Sequence, residues 1–429
     1  MTTVATENSE WASVARLAND RMPDWMGWWS LEDVCATLAI PDECKADVEA
    51  LLWVRVRGRA AVIEASQKSQ QASKYFEALR DAGIGQPDAV PDLSTRATLA
   101  QLASRLADGV FEELMQLDRT FADSVAALFS RQGTDGMPSD ATVERMRRGV
   151  QRLRCFDPAL SPMTLMNTGV DLTIQVGPLL RGESCVPTHA DSGADAATAQ
   201  GHVQRGLDDG ARNAIVVEIA AWQERVAPQL DLFEKQRMDL VAVTGGFEPL
   251  EARLRHLTRL KKSAGSIRET LLATTLRSAR MIAALAAEHD GDRASEWLRS
   301  VYHAFAPSEV GLTAGDSVLE CAMSKAQREG AADCVLSLAV LRSRNLRECA
   351  ELEGAFVDAG VRASGEISRL VAFMAHEGLA HKINQRRFVQ ADLMLKQVVA
   401  LLPAQSRDEI NAAFEGARRA RTSRYLDQP

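Results

Sequence analysis

From residue 99 to 128 an apolar side chain recurs every three or four positions: Leu99, Leu102, Leu106, Val110, Leu114, Leu117, Phe121, Val125 and Leu128. The mean step is roughly 3.6 residues, the period of an α-helix with one buried face. Similar stripes recur along most of the chain. Almost nothing alternates with the period of two that a half-buried strand needs. The pattern predicts an all-α protein built from long antiparallel helical hairpins and a multi-helix bundle, with an irregular middle segment.

Breaks in the pattern divide the chain. Residues 1–10 are rich in Thr, Ser, Asn and Glu and read as a flexible N-terminus. An N-terminal helical domain follows over 11–131. Within it, 42–82 reads as one long helix or two stacked ones, with Gly58 its weak point and Gly83 and Gly85 its stop. Pro87 and Pro91 mark a turn, and Asp92 or Ser94 can cap the long helix that carries the Leu99 stripe. Two long helices joined this way form an antiparallel hairpin.

Residues 132–210 read as an irregular connector with a basic helix over 140–154. Gly133, Gly136 and Pro138 precede that helix, and Pro158, Pro162, Gly169, Gly177, Pro178, Gly182 and Pro187 follow it. The phrase Val-Asp-Leu-Thr-Ile-Gln-Val at 170–176 alternates strictly and suits a short strand, although no second strand offers itself as a partner. Residues 188–209 read as a loop. A C-terminal helical bundle then fills 211–429, with helices expected over 211–243, 247–288, 292–305, 315–329, 331–358, 362–385, 387–402 and 406–424. No fixed repeat of 30–50 residues unites them, so an irregular stack is expected and not a solenoid.

Composition narrows the class. A chain of 429 residues can hold two or three domains, and its 46% hydrophobic and 25% charged residues are those of an ordinary folded protein. A net charge of −8 argues against a protein that coats nucleic acid over its whole surface, but leaves room for one basic patch. The first ten residues lack the features of a secretory signal, and no apolar run approaches the roughly 20 residues that span a bilayer. The expectation is a soluble cytoplasmic protein, with export lacking a cleaved signal as the alternative. Seven cysteines at 35, 44, 155, 185, 321, 334 and 349 show no C-x-x-C spacing, and all seven read as buried, reduced thiols acting as small hydrophobes.

The sharpest anomaly is electrostatic. Residues 251–280 hold eight basic and two acidic side chains, a charge of +6 in a chain whose remainder is −14. On a helical wheel Leu250, Leu254, Leu257, Leu260, Ala264, Ile267, Leu271 and Ile282 form one face. Arg255, Arg259, Lys262, Arg277 and Arg280 fall within about 60° on the other side. Such a stripe attracts a phosphate backbone, an acidic protein surface or an anionic membrane. The plainer reading is a solvated face, or one neutralised by acids of neighbouring helices. No aromatic residue lies in the stripe to stack on bases. Smaller basic runs occur at Arg145, Arg147, Arg148, Arg152 and Arg154, and at Arg418, Arg419, Arg421 and Arg424.

Tryptophan is the second anomaly. Trp11, Trp25, Trp28, Trp29 and Trp53 are five of the chain's seven. Exposed, Trp25, Trp28 and Trp29 would anchor a partner; buried, they would staple the N-terminal segment to the helical hairpin. The phrase at 31–40, followed by Pro41 and a second helix, has helix-turn-helix spacing. Its second helix opens with Asp42, Glu43 and Asp47 and carries Glu49, which would repel phosphates, so it reads as a plain helical hairpin.

Candidate chemistry is sparse. His376 and His381 are five apart, about 140° off register on a helix, so they do not converge on one metal as histidines four apart do. His189, Asp191, Asp195 and His202 share a polar loop. No phosphate-binding loop, dinucleotide fingerprint or nucleophile elbow is present, and no cofactor is implied. The favoured reading is a non-enzymatic interaction or regulatory protein. Its partner would be a protein, and its contacts Arg255, Arg259, Lys262, Arg277, Arg280, Trp25, Trp28 and Trp29. The alternatives are a nucleic-acid binder using the same stripe, and an all-α enzyme with a site assembled between helices. A homodimer built on the Leu99 stripe is a further expectation.

Overall fold

The computed structural model describes residues 29–81, 93–130, 139–156, 170–183, 207–244, 250–306, 313–365, 369–403, 406–412 and 414–416. Every regular element among them is helical. In chain order they are α1 (Leu31–Leu38), a 3-10 turn (Asp42–Cys44), α2 (Lys45–Gln67), α3 (Gln70–Asp81), α4 (Leu93–Ser130), α5 (Asp140–Cys155) and α6 (Leu172–Arg181). Then come α7 (Asp209–Thr244), α8 (Leu250–Ala287), α9 (Gly291–Phe305), α10 (Ala314–Arg328), α11 (Ala332–Ala363) and α12 (Arg369–Leu401). The protein is all-α, as its periodicity predicts. None of the described helices is long and apolar enough to cross a membrane.

The chain forms two compact units. The first takes the described residues up to Ile174, those of 223–274, and 364–365; the second takes the rest. The chain passes between units inside α6, α7 and α8.

In the first unit, Ser30 caps α1 by accepting the Asp33 N–H at 3.0 Å, and Glu32 and Asp33 in the first turn suit the helix dipole. The helix ends on Ala39, which adopts the left-handed region at φ 53°. The Ile40 N–H then bonds the Cys35 carbonyl at 2.9 Å, closing the last turn before Pro41. Where one long helix or two stacked ones are expected, the described residues after the 3-10 turn form two helices, α2 and α3. The chain restarts at Ser69, whose Oγ accepts the Ala72 N–H at 3.1 Å. Helices α2 and α3 run antiparallel to α4: Arg55 meets Asp118, Gly58 meets Leu117, and Gln71 lies beside Gly109. A Cβ on Gly58 would stand 2.8 Å from Leu117 Cδ1, so the absent side chain is what lets these helices approach. The expected stripe lies inward, with Leu99, Leu106, Val110, Leu114, Phe121 and Val125 buried. Trp29, Val34, Leu38, Val48, Phe121, Val125, Met146 and Val150 share a core drawn from α1, α2, α4 and α5, with Trp29 two residues ahead of α1.

The alternating phrase at 170–176 is helix, not strand. Asp171 starts α6 by accepting the Thr173 N–H at 2.9 Å and the Thr173 hydroxyl at 2.6 Å. Leu172, Val176 and Leu179 are buried at the i, i+4, i+7 spacing of a helix. Four alternating residues share members with that spacing, and Pro178 inside the helix hides its continuation.

The second unit is organised around α9 to α12. Asp290 caps α9 through the N–H groups of Asp292 and Arg293, both at 3.1 Å. Thr313 and Asp316 form a reciprocal capping box at the start of α10. Helices α11 and α12 are antiparallel: Cys334 lies against the Leu401 carbonyl, Glu348 against Gln390, and Glu353 against Arg387. Val318, Leu319, Ala322, Leu338, Met394, Val398, Ile410 and Phe414 pack together. Trp222 and Trp297 are fully buried. Their indole N–H groups are satisfied by Thr275 Oγ1 at 3.2 Å and by the Gln175 carbonyl at 2.7 Å. Helix α11 runs through Gly360, and α12 runs through 385–387, where the pattern suggested breaks.

Candidate functional site

The predicted basic stripe lies on α8. Leu271 and Ile282 are buried, and Leu260, Ala264 and Ile267 are half-buried on one side of the helix. Arg255, Arg259 and Lys262, which belong to the first unit, are exposed on the opposite side. Thr258, Ser266 and Thr270 are exposed on the same face. Glu269 is half-buried and lies on this same face, about 20° around the helix from Lys262. Residues 250–274 carry six basic and two acidic side chains, a local charge of +4. Gly265 seats the helix: a Cβ there would stand 3.0 Å from the Gly365 carbonyl oxygen, so the backbones touch, about 60° around the helix from Lys262.

The other two stripe residues belong to the second unit and differ from each other. Arg277 is exposed. Arg280 is committed: its Nη2 donates to Asp358 Oδ2 at 2.9 Å and its Nε to the Tyr302 hydroxyl at 3.3 Å. Burial works against that guanidinium, but Asp358 and Tyr302 outweigh it and hold its pKa above the usual value.

Trp25 and Trp28 lie outside the described residues. Trp29 is 8% exposed, packs against Phe121 with ring centroids 6.3 Å apart, and lies under the Arg55 guanidinium at 3.4 Å. It belongs to the core of the first unit and offers no surface to a partner. His381 is exposed and its Nε2 lies 3.0 Å from Gln385 Nε2. The loop carrying His189, Asp191, Asp195 and His202 lies outside the described residues.

Sequence reasoning missed an ion-pair ladder in the first unit. Asp118, 1% exposed, accepts from Arg55 Nε at 2.8 Å and from Arg154 Nη1 at 3.3 Å. Arg154 also reaches Glu234 Oε1, with Nη2 at 2.6 Å. Gln151 Nε2 links Glu234 to Asp231, and Asp231 accepts from Arg148 Nη1 at 2.5 Å. Burial opposes the Arg154 charge, yet Glu234 and Asp118 more than offset it and raise its pKa. Beside the ladder lies an open groove of about 290 Å³, lined by Asp118, Arg119, Arg147, Arg148, Gln151 and Arg154 among others. Carboxylates neutralise Arg147, Arg148 and Arg154, so the groove is polar without a strong net field.

A second buried network joins four helices of the second unit. Arg299 donates to Asp316 at 3.0 Å and to Glu353 at 2.9 Å, while Asn345 Nδ2 donates to Asp316 Oδ1 at 2.6 Å. Arg387 lies 3.4 Å from Glu353. Burial beside Asp316 pushes the Cys349 thiol up to about 12, which makes it an inert neighbour and not a nucleophile. The two guanidinium groups and the two carboxylates of this network compensate one another. Among the described residues, the α8 face carries three of the cations singled out by the sequence, Arg255, Arg259 and Lys262, on its exposed side. No family model, curated protein or solved structure matches the chain.

Proposed function

We propose that the protein is an interaction protein that binds an acidic macromolecule through the face of α8 bearing Arg255, Arg259 and Lys262. The observation that supports this reading is the exposure of all three cations on one helix face, at spacings of four and three, in a segment of charge +4 within a chain of −8. Segregated charge of this kind steers an anionic partner onto one surface while the rest of the molecule repels it. Trp29 contributes core packing to this function and no contact. Buried thiols at Cys35, Cys44, Cys155 and Cys349 fit work in a reducing, cytoplasmic setting.

Equilibrium binding to heparin, a plain polyanion, tests the proposal. The wild-type protein should bind with an affinity that falls as salt is added, and Arg255→Glu/Arg259→Glu/Lys262→Glu should weaken binding by about tenfold or more. Unchanged binding by that variant, with its helical circular dichroism intact, would remove the face from the proposal.

A further inference from the structure

Resting on the basic-face reading, we infer that the acidic macromolecule is a duplex nucleic acid, held by its phosphodiester backbone and not read by its bases. The side chains on the face carry the argument. Between 255 and 270 the exposed residues on this side of α8 are Arg255, Thr258, Arg259, Lys262, Ser266 and Thr270. Guanidinium, ammonium and hydroxyl groups are the donors that contact phosphate and sugar oxygens in protein–nucleic acid complexes.

A protein partner requires something else. Stable protein interfaces are organised around a desolvated centre rich in Trp, Tyr, Phe and Met, with lysine depleted. This face has no exposed apolar or aromatic side chain among the described residues from 255 to 270, so it offers nothing to desolvate. The apolar members of the segment, Leu260, Ala264, Ile267 and Leu271, all point to the other side. Counterion release from a polyphosphate needs no apolar centre, because its free energy comes from displaced salt.

The same residues select the form of nucleic acid. Single strands are held by aromatic side chains on which bases stack, combined with a positive groove. Without an aromatic on the face, unpaired bases have no platform, whereas a duplex presents its phosphates already ordered. Arg255 and Lys262 stand about 10 Å apart along the helix, given a rise of about 1.5 Å per residue. That span covers neighbouring phosphates of one strand or the edges of one groove. Backbone contact alone makes binding indifferent to sequence.

Fluorescence anisotropy of the full chain with a labelled 24-base-pair duplex tests the inference. The matching 24-nucleotide single strand and polyglutamate serve as competitors. The expected result is duplex binding independent of sequence, with log affinity falling against log salt at a slope of roughly −3 for three neutralised phosphates. Arg255→Gln/Arg259→Gln/Lys262→Gln should abolish most of that slope while keeping the wild-type circular dichroism. Competition by polyglutamate equal to that of unlabelled duplex, or binding of polyglutamate without duplex, would overturn the nucleic-acid assignment and leave the basic face standing. Tighter binding of the single strand would overturn the duplex form. Duplex binding unchanged in the triple variant, or no binding to any of the three probes, would defeat the assignment together with the face itself.

Discussion

At the scale of single residues, the buried charges divide sharply from the exposed ones. Asp118 is the shared acceptor of Arg55 and Arg154, and all three side chains are nearly inaccessible. Removing it in Asp118→Ala takes the shared carboxylate from buried Arg55 and Arg154, of which Arg154 keeps Glu234, and should cost about 3–5 kcal/mol in urea unfolding. The exposed pair of Arg147 and Asp123 has a similar distance of 2.9 Å, yet Arg147→Ala should cost less than about 1 kcal/mol, since water screens it. Asp316 adds a pH dependence. Burial alone would raise its carboxyl, but Arg299 and the donors of Thr313 outweigh burial and hold it below the usual carboxylate value. A carboxylate whose folded pKa lies under an unfolded value of about 3.9 stabilises the fold above that pH. The contribution is lost as pH falls through the folded pKa. Asp316→Asn should therefore lower the urea midpoint near pH 7, and the gap from wild type should close below about pH 4. A gap that stays constant with pH would show that the Arg299 ion pair does not carry the effect.

At the scale of elements, helix crossings set what each glycine tolerates. Gly149 of α5 faces Leu38, whose Cδ2 would stand 2.2 Å from an added Cβ, whereas Gly378 of α12 has nothing within 4 Å. Gly149→Ala should destabilise the protein by about 1–3 kcal/mol through overpacking, even though alanine is the better helix former. Gly378→Ala should stabilise it by roughly 0.5–1 kcal/mol, and thermal melts of the two variants should move in opposite directions. The same elements show what the chain discloses before folding. Helix α4 was legible because its stripe runs for nine apolar positions without a miss. Helix α6 was not, because 170–176 is too short for its alternation to be told from a helical face, and Gly177 and Pro178 resemble a stop. On α8 the wheel groups Arg255, Arg259 and Lys262, which are exposed, opposite Leu271 and Ile282, which are buried, since both faces belong to one element. The neutralisation of Arg280 was invisible, because Asp358 lies 78 residues further along the chain. Long range likewise hid the Asp118 ladder, whose partners are 63 and 36 residues away. Trp29 was ambiguous for a related reason: its cover comes from Phe121 and Arg55 on other helices.

At the scale of the whole molecule, where charge sits matters more to the proposed binding than how much there is. A chain of −8 repels polyanions at long range, so the proposed association requires a local surface and is sensitive to salt. The most direct measurement compares two variants of equal net charge in their affinity for a polyanion. One reverses Arg255, Arg259 and Lys262 to Glu; the other reverses Arg57, Arg80 and Arg105, which are exposed on α2, α3 and α4. If the α8 face is the contact, the first variant should lose about tenfold or more of the wild-type affinity, while the second should lose only a few-fold through its long-range field. Equal losses in the two variants would contradict the account, because binding would then follow total charge and not this surface.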